Sequence, residues 1–140
     1  MVCGSVENKR LHLEMVQGVV NRLAQCSFLL KGWSVVLVSA LFALAAADSQ
    51  PLFVYIAYLP AIAFWVLDGY FLWQERLFRK LYDYVRTLDE DAVDFSMDTS
   101  VVKEQVSPWR DVTFSKSLLI FHGTLVTSVI IIMAVLLRPS

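Results

Sequence analysis

Three long stretches of the chain are almost entirely apolar and free of formal charge. Residues 32–47 and 117–137 contain no Asp, Glu, Lys or Arg, and residues 51–73 contain only Asp68. About 20 helical residues cover the ~30 Å hydrocarbon core of a bilayer. The pattern therefore predicts an all-α integral membrane protein with about three transmembrane helices, at residues 28–48, 51–73 and 116–137.

Polar segments with helical periodicity flank the first two spans. In residues 5–27 apolar side chains recur every three or four positions, which predicts an amphipathic helix. This helix either lies in the headgroup region or on a partner, or simply extends the first span, and the pattern slightly favours the extension. Residues 74–88 keep an apolar stripe and predict an extension of the second span. Residues 89–111, rich in charges and turn formers, predict a loop.

Composition and charge support this arrangement and give it an orientation. The chain is 57% hydrophobic and 18% charged, with a mean hydropathy of +0.58, which is more apolar than a soluble domain of 140 residues. Of its 12 Lys and Arg residues, four lie at or before Lys31, seven lie between Arg76 and Lys116, and one is Arg138. Basic residues favour the cytoplasmic side, so we predict a cytoplasmic N-terminus and segment 74–116, with the C-terminus outside.

Asp68 is a candidate functional residue because it is the one charged residue within the second apolar stretch. A carboxylate in or near hydrocarbon is costly, and such residues usually face a bundle interior, a wet cavity or a partner. On a helix Asp68 shares one side with Glu75, Arg76 and Arg79, which predicts a polar stripe leading to the cytoplasm. The stripe is a candidate pore lining or inter-subunit contact. The alternative, which the depth of Asp68 favours, is a carboxylate near the interface paired with a basic group of a neighbouring helix.

Small residues at four-residue spacing offer faces for close helix packing. Candidate packing or oligomer faces on the first and third spans comprise Ser39, Ala43, Ala47, Gly123, Thr124, Thr127 and Ser128. They serve either homo-oligomerisation or packing within one protomer, and the sequence does not choose between them. His122 lies within the third span, where a hydrogen-bonded packing role is favoured over a proton or metal role.

Motifs for catalysis, metal binding and nucleic-acid binding are missing from the sequence. There is no GxSxG, HExxH, CxxC or glycine-rich phosphate loop, so we predict a non-enzyme without cofactor or metal. Cys3 and Cys26 lack metal-ligand spacing and are expected to stay reduced in the cytoplasm. The opposite-charge pairs in residues 75–83 indicate either a solvated face or a contact with anionic lipid headgroups. The acidic residues there argue against a patch that binds nucleic acid or a phosphate ligand.

A family resemblance lies in three stretches: LDGYFLWQERLFRKLYDYVR at 67–86, DFSMDTS at 94–100 and FSKSLLIFHG at 114–123. Together they resemble small bacterial membrane proteins of phage-defence systems, of the SLATT-like sort and those associated with RADAR or CRISPR. The resemblance implies an inner-membrane effector that oligomerises and permeabilises the membrane on a signal from a soluble cytoplasmic defence protein. The alternative hypothesis is a non-catalytic membrane anchor or assembly subunit that recruits a soluble partner complex.

Overall fold

The residues that the structure describes form four α-helices, joined in order by a tight turn, a longer connection and the two-residue link of Phe114 and Ser115. The computed structural model describes residues 2–48 and 50–136, and throughout these ranges every regular element is helical. The helices are α1 (Val2–Asp48), α2 (Leu52–Thr87), α3 (Trp109–Thr113) and α4 (Lys116–Leu136), with short 3₁₀ turns at Glu90–Ala92 and Ser100–Gln105. Leu137, where the third span is predicted to end, and Arg138 lie outside the described residues.

Helices α1 and α2 form a long antiparallel hairpin. Pro51 begins the second arm with φ −64°, and its carbonyl accepts the Val54 N–H at 3.0 Å. A proline fits this first position because its missing N–H would have no partner there. Neither arm breaks at the predicted borders near residues 27 and 73. The amphipathic segment 5–27 is therefore part of the same helix as the first apolar stretch.

The part of the hairpin next to the turn, together with α4, is apolar on nearly all sides. We call it the apolar half: residues 28–48 of α1, 52–73 of α2 and α4. Its three helices are each long and apolar enough to cross a membrane. Only 17%, 28% and 17% of the residues in their most apolar windows are buried. The small shared core is formed by Val38, Ala45, Val54, Ala57, Ala61 and Val129.

The far end of the hairpin is charged on its surface and carries its own core. This polar half comprises residues 2–26, 74–87 and the connection 88–106, with Val16, Leu81, Val85 and Val102 buried together. Two α1 side chains hold the connection in place. Lys9 Nζ donates to the Leu88 carbonyl at 2.7 Å, and His12 Nε2 lies 2.9 Å from the Ser96 carbonyl. The segment predicted as a loop is therefore fastened to the hairpin.

The short helix α3 lies against α2 just before α4 begins. The Trp65 indole donates to the Thr113 carbonyl at 3.0 Å, and the Thr113 hydroxyl donates to the Trp109 carbonyl at 2.9 Å. A Cβ on Gly69 would lie 2.9 Å from the Thr113 Cβ and closer still to its hydroxyl oxygen. Only glycine lets α3 approach α2 this closely, so Gly69 fixes where α4 starts.

Candidate functional site

A buried cluster of polar side chains connects α1, α2 and α4 where the apolar and polar halves meet. Asp68, which is fully buried, accepts a short hydrogen bond from the Ser27 hydroxyl on Oδ1. On its other oxygen, Oδ2, Lys31 Nζ lies at 2.5 Å and His122 Nε2 at 2.8 Å. We call these four residues the junction cluster. Three helices thus converge on one carboxylate.

The register of the hairpin explains why Lys31 meets Asp68. Lys31 lies 19 residues before Gln50 and Asp68 lies 17 residues after Pro51, so an antiparallel pair of straight helices places them side by side. Both helices rise about 1.5 Å per residue, so similar residue counts from the turn give similar heights along the hairpin. Helix α4 then runs back along α2 and brings His122 to the same level. The cluster is a product of helix lengths and of one tight turn.

Neighbouring side chains shield the carboxylate and the imidazole from solvent, whereas the Lys31 side chain stays 23% exposed. The Trp65 ring stacks on His122, with centroids 5.9 Å apart and planes at 6°. Lys31 Nζ also donates to Ser27 Oγ at 2.9 Å and lies 6.0 Å from the centre of the Phe121 ring. A buried charge is tolerated when it is paired and hydrogen-bonded. Here the ammonium and the imidazole supply that compensation for the carboxylate.

This geometry suits a structural connection better than a catalytic or ligand-binding centre. Asp68 Oδ2 is shared by two donors and Oδ1 is taken by a third, so the carboxylate has little capacity left for an external ligand. Within residues 2–48 and 50–136, no three His, Cys, Asp or Glu side chains group as metal ligands would. The chain matches no protein-family model, no curated protein and no solved structure.

The structure divides the predicted polar stripe into an inner and an outer part. Asp68 is enclosed by its own chain, and Glu75 is 8% exposed. Glu75 forms an ion pair with Arg79 at 2.7 Å, and the Arg79 side chain is 63% exposed. Arg76 is half-buried. Asp68 therefore faces no pore in this conformation. It would line one only after the junction cluster had opened.

The small residues also separate into two groups. Ala57 and Ala61 of α2 are fully buried in the core of the apolar half and serve packing within the chain. The candidate oligomer positions of α1 and α4 remain at the surface: Ser39, Ala43, Ala47, Thr124 and Thr127 are exposed, and Gly123 and Ser128 are half-buried. A Cβ added to Gly123 would meet no atom within 4 Å. Two close-packing faces are thus left uncovered by this chain.

Sequence reasoning identified Asp68 and His122 but did not join them to each other or to Lys31. It counted Lys31 among the basic residues that set the orientation, and it gave Ser27 no role. Counting residues outward from the turn at Gln50–Pro51 would have placed Lys31 within two residues, about 3 Å, of the height of Asp68. No signal in the sequence pairs His122 with Asp68, because the level of α4 depends on the contact between Gly69 and α3.

Proposed function

We propose that the chain is a bacterial inner-membrane protein of an antiviral defence system, which oligomerises and permeabilises the membrane on a signal from a cytoplasmic partner. One observation carries the proposal. Helices α1 and α2 each run without a break from the polar half into the apolar half. A rigid helix transmits a displacement along its whole length, so a partner that moves the polar half also moves the membrane-spanning parts. The resemblance described above supports the defence assignment.

The orientation of the proposed protein follows from its basic residues. With the polar half in the cytoplasm, 11 of the 12 Lys and Arg residues face that side or its interface, as the charge bias of membrane proteins favours. Segment 74–116 then lies in the cytoplasm and the C-terminus outside. The connection 88–106, fastened to α1 by Lys9 and His12, becomes the surface that a cytoplasmic partner meets.

Oligomerisation is supported by the uncovered faces of α1 and α4. Between helices in lipid there is little hydrophobic driving force, so association depends on close backbone approach at small residues. The face of α1 that includes Ser39 and Ala43 and the face of α4 that includes Gly123 and Thr127 both meet this requirement and are left open. We propose that these faces contact neighbouring copies.

Permeabilisation in this proposal requires the junction cluster to open. At rest Asp68 is held by Lys31 and His122 and faces no opening. A signal that shifts α1 against α2 would part Lys31 from Asp68 and add the carboxylate to the polar stripe with Glu75 and Arg79. The ion pair is thus the element that holds the closed state.

Membrane potential is the direct readout of this proposal. Induced expression, with phage infection as the trigger, is expected to depolarise cells loaded with a voltage-sensitive dye. Ala43→Leu should reduce both the oligomer mass in detergent and the depolarisation, because it puts a bulky side chain on the small-residue face. Ala63→Leu is the matched control, since Ala63 is also exposed but lies outside the predicted faces. An unchanged potential in triggered wild-type cells would rule out permeabilisation.

A membrane anchor that recruits a soluble complex is the second candidate, and the folded connection 88–106 favours it. Val102 is fully buried, while the acidic residues Asp89, Glu90 and Asp91 are exposed on the same segment. This gives an ordered acidic surface for a partner. An anchor would co-purify with a large cytoplasmic protein, would lose it when residues 89–107 are deleted, and would cause no depolarisation. The two readouts together separate an anchor from an effector.

A further inference from the structure

A basic cleft lies beside α2, just beyond the end of its apolar stretch. One wall is α2 from Arg76 to Lys80, and the other is the chain before α3, including Gln105 and Ser107. The cleft has a volume of about 350 Å³. Arg76 and Arg79 of the polar stripe also line it, but neither candidate function described above uses Lys80, Gln105 or Ser107.

The positive charge of the cleft is only partly compensated. Arg79 is engaged by Glu75 at 2.7 Å. In the described part of the chain, Arg76 and Lys80 form no ion pair and no side-chain hydrogen bond, although both are half-buried. Asp83, the one carboxylate that lines the cleft, lies 3.8 Å from Arg86. Two cationic side chains four residues apart on one helix face therefore remain available to an anion.

The cleft lies at the depth of lipid headgroups if the apolar half crosses a bilayer. Arg76 follows Leu52 by 24 residues, about 36 Å along the helix axis, and Lys80 lies about 6 Å further. With a hydrocarbon core of ~30 Å that begins at Leu52, Arg76 lies in the adjacent headgroup layer, and Lys80 lies at its aqueous border, from where its long side chain reaches a headgroup phosphate. Trp73 lies one turn closer to the apolar side, where interfacial aromatic residues are favoured.

We propose that this cleft binds the phosphate of an anionic lipid headgroup in the cytoplasmic leaflet, with Arg76 and Lys80 as its cationic ligands and the Ser107 hydroxyl and Gln105 amide as neutral donors. The Arg guanidinium matches phosphate oxygens in a two-pronged geometry, and the Lys ammonium adds a point charge. The same chemistry would accept free phosphate. We propose the lipid rather than free phosphate because membrane insertion places the cleft beside the lipid headgroups.

The site rests on the membrane insertion proposed above but not on permeabilisation. Delipidated protein in detergent would be titrated with phosphatidylglycerol or phosphatidylcholine, and lipid adducts would be counted by native mass spectrometry. The double variant Arg76→Gln/Lys80→Gln removes both cationic ligands, and Arg22→Gln/Lys103→Gln makes the same change in charge outside the cleft. Exchanging the cations, Arg76→Lys/Lys80→Arg, preserves the charge at the site.

Wild-type protein is expected to prefer phosphatidylglycerol over phosphatidylcholine. Each cationic side chain contributes about fivefold to the affinity for an anionic lipid, so the cleft variant should lose about 25-fold. The control and the exchanged variant should stay within about threefold of wild type. Inorganic phosphate at 10 mM should not compete with the lipid, because each cationic side chain contributes only weakly to the binding of a free anion.

Three results would overturn the proposal: equal affinity for both lipids, an equal loss in the control variant, or competition by inorganic phosphate. Equal affinity for both lipids would show that the protein does not select an anionic headgroup. An equal loss in the control variant would show general charge attraction, and competition would assign the cleft to a soluble phosphate. Failure of the chain to enter lipid nanodiscs would instead refute membrane insertion, and with it the proposed function. An incorporated protein without lipid preference refutes the cleft alone.

Discussion

Neutralising one member of the Lys31–Asp68 pair should destabilise the chain, whereas neutralising both should cost less than the two single changes together. Asp68 is fully buried, the Lys31 side chain is 23% exposed, and Lys31 Nζ lies 2.5 Å from Asp68 Oδ2. Removing one partner of a buried ion pair leaves an uncompensated charge, which costs roughly 3–5 kcal/mol. Replacing both by neutral groups of similar shape avoids that cost.

The size of each effect follows from what the remaining side chains can still do. Lys31→Met keeps the aliphatic stem but strands the carboxylate with Ser27 and His122, at a cost of about 3 kcal/mol. Asp68→Asn keeps one accepting oxygen and replaces the other by an amide donor, which the Ser27 hydroxyl can accept, and the part-exposed Lys31 ammonium can extend toward solvent, so about 2 kcal/mol is expected. The double variant should lose only about 2 kcal/mol. The coupling energy is therefore about 3 kcal/mol, at the upper end of measured values.

A double-mutant cycle in mixed detergent micelles measures this coupling. Unfolding would be followed by circular dichroism and tryptophan fluorescence for the wild type, both single variants and the double variant. The exposed pair Arg10–Glu14, with side chains 71% and 59% exposed, is the matched control. Its cycle should give about 0.5 kcal/mol or less. Additive losses at Lys31 and Asp68 would refute the account of the junction cluster as the connection that holds α1 to α2.

Two further predictions concern α3 and the connection that precedes it. Gly69→Ala should cost about 1–3 kcal/mol because its Cβ would press on Thr113, whereas Gly18→Ala, with no atom within 4 Å, should stabilise the helix by about 0.5–1 kcal/mol in the same unfolding assay. Equal effects would contradict the close approach of α3. The Ser100 hydroxyl and backbone N–H lower the pKa of Asp98, so this carboxylate stabilises the fold above the ordinary Asp pKa and stops doing so as the pH falls through its lowered value. Ser100→Ala should raise that pKa in an NMR titration, and an unmoved midpoint would contradict the assignment.

The three long helices were predictable because each rests on local information, whereas the short helix α3 begins within residues 89–111, which were predicted as a loop. A long apolar run with at most two charged residues identifies a helix without reference to the rest of the chain, and the described part of the structure has three such helices. Continuation of the second span beyond Trp73 was legible in the same way, from an apolar stripe that persists among charges. Only the extent of α1 was left open. The sequence offered two interpretations of residues 5–27, and the helix runs through them.

The partners of Asp68 were decided by the tertiary structure alone. Local spacing put Asp68 in a stripe with Arg79 and favoured a basic partner on a neighbouring helix, but it named no such partner, because residues on one helix face are all that a single helix reveals. Its partners instead come from α1 and α4, and they meet it through the register of the hairpin and the seat of α3 on Gly69. The sequence by itself determined which segments are helices able to cross a membrane and which residues are costly within them. The fold decided which side chains compensate the buried charge, because pairing it requires side chains that are distant in the chain to reach the same height.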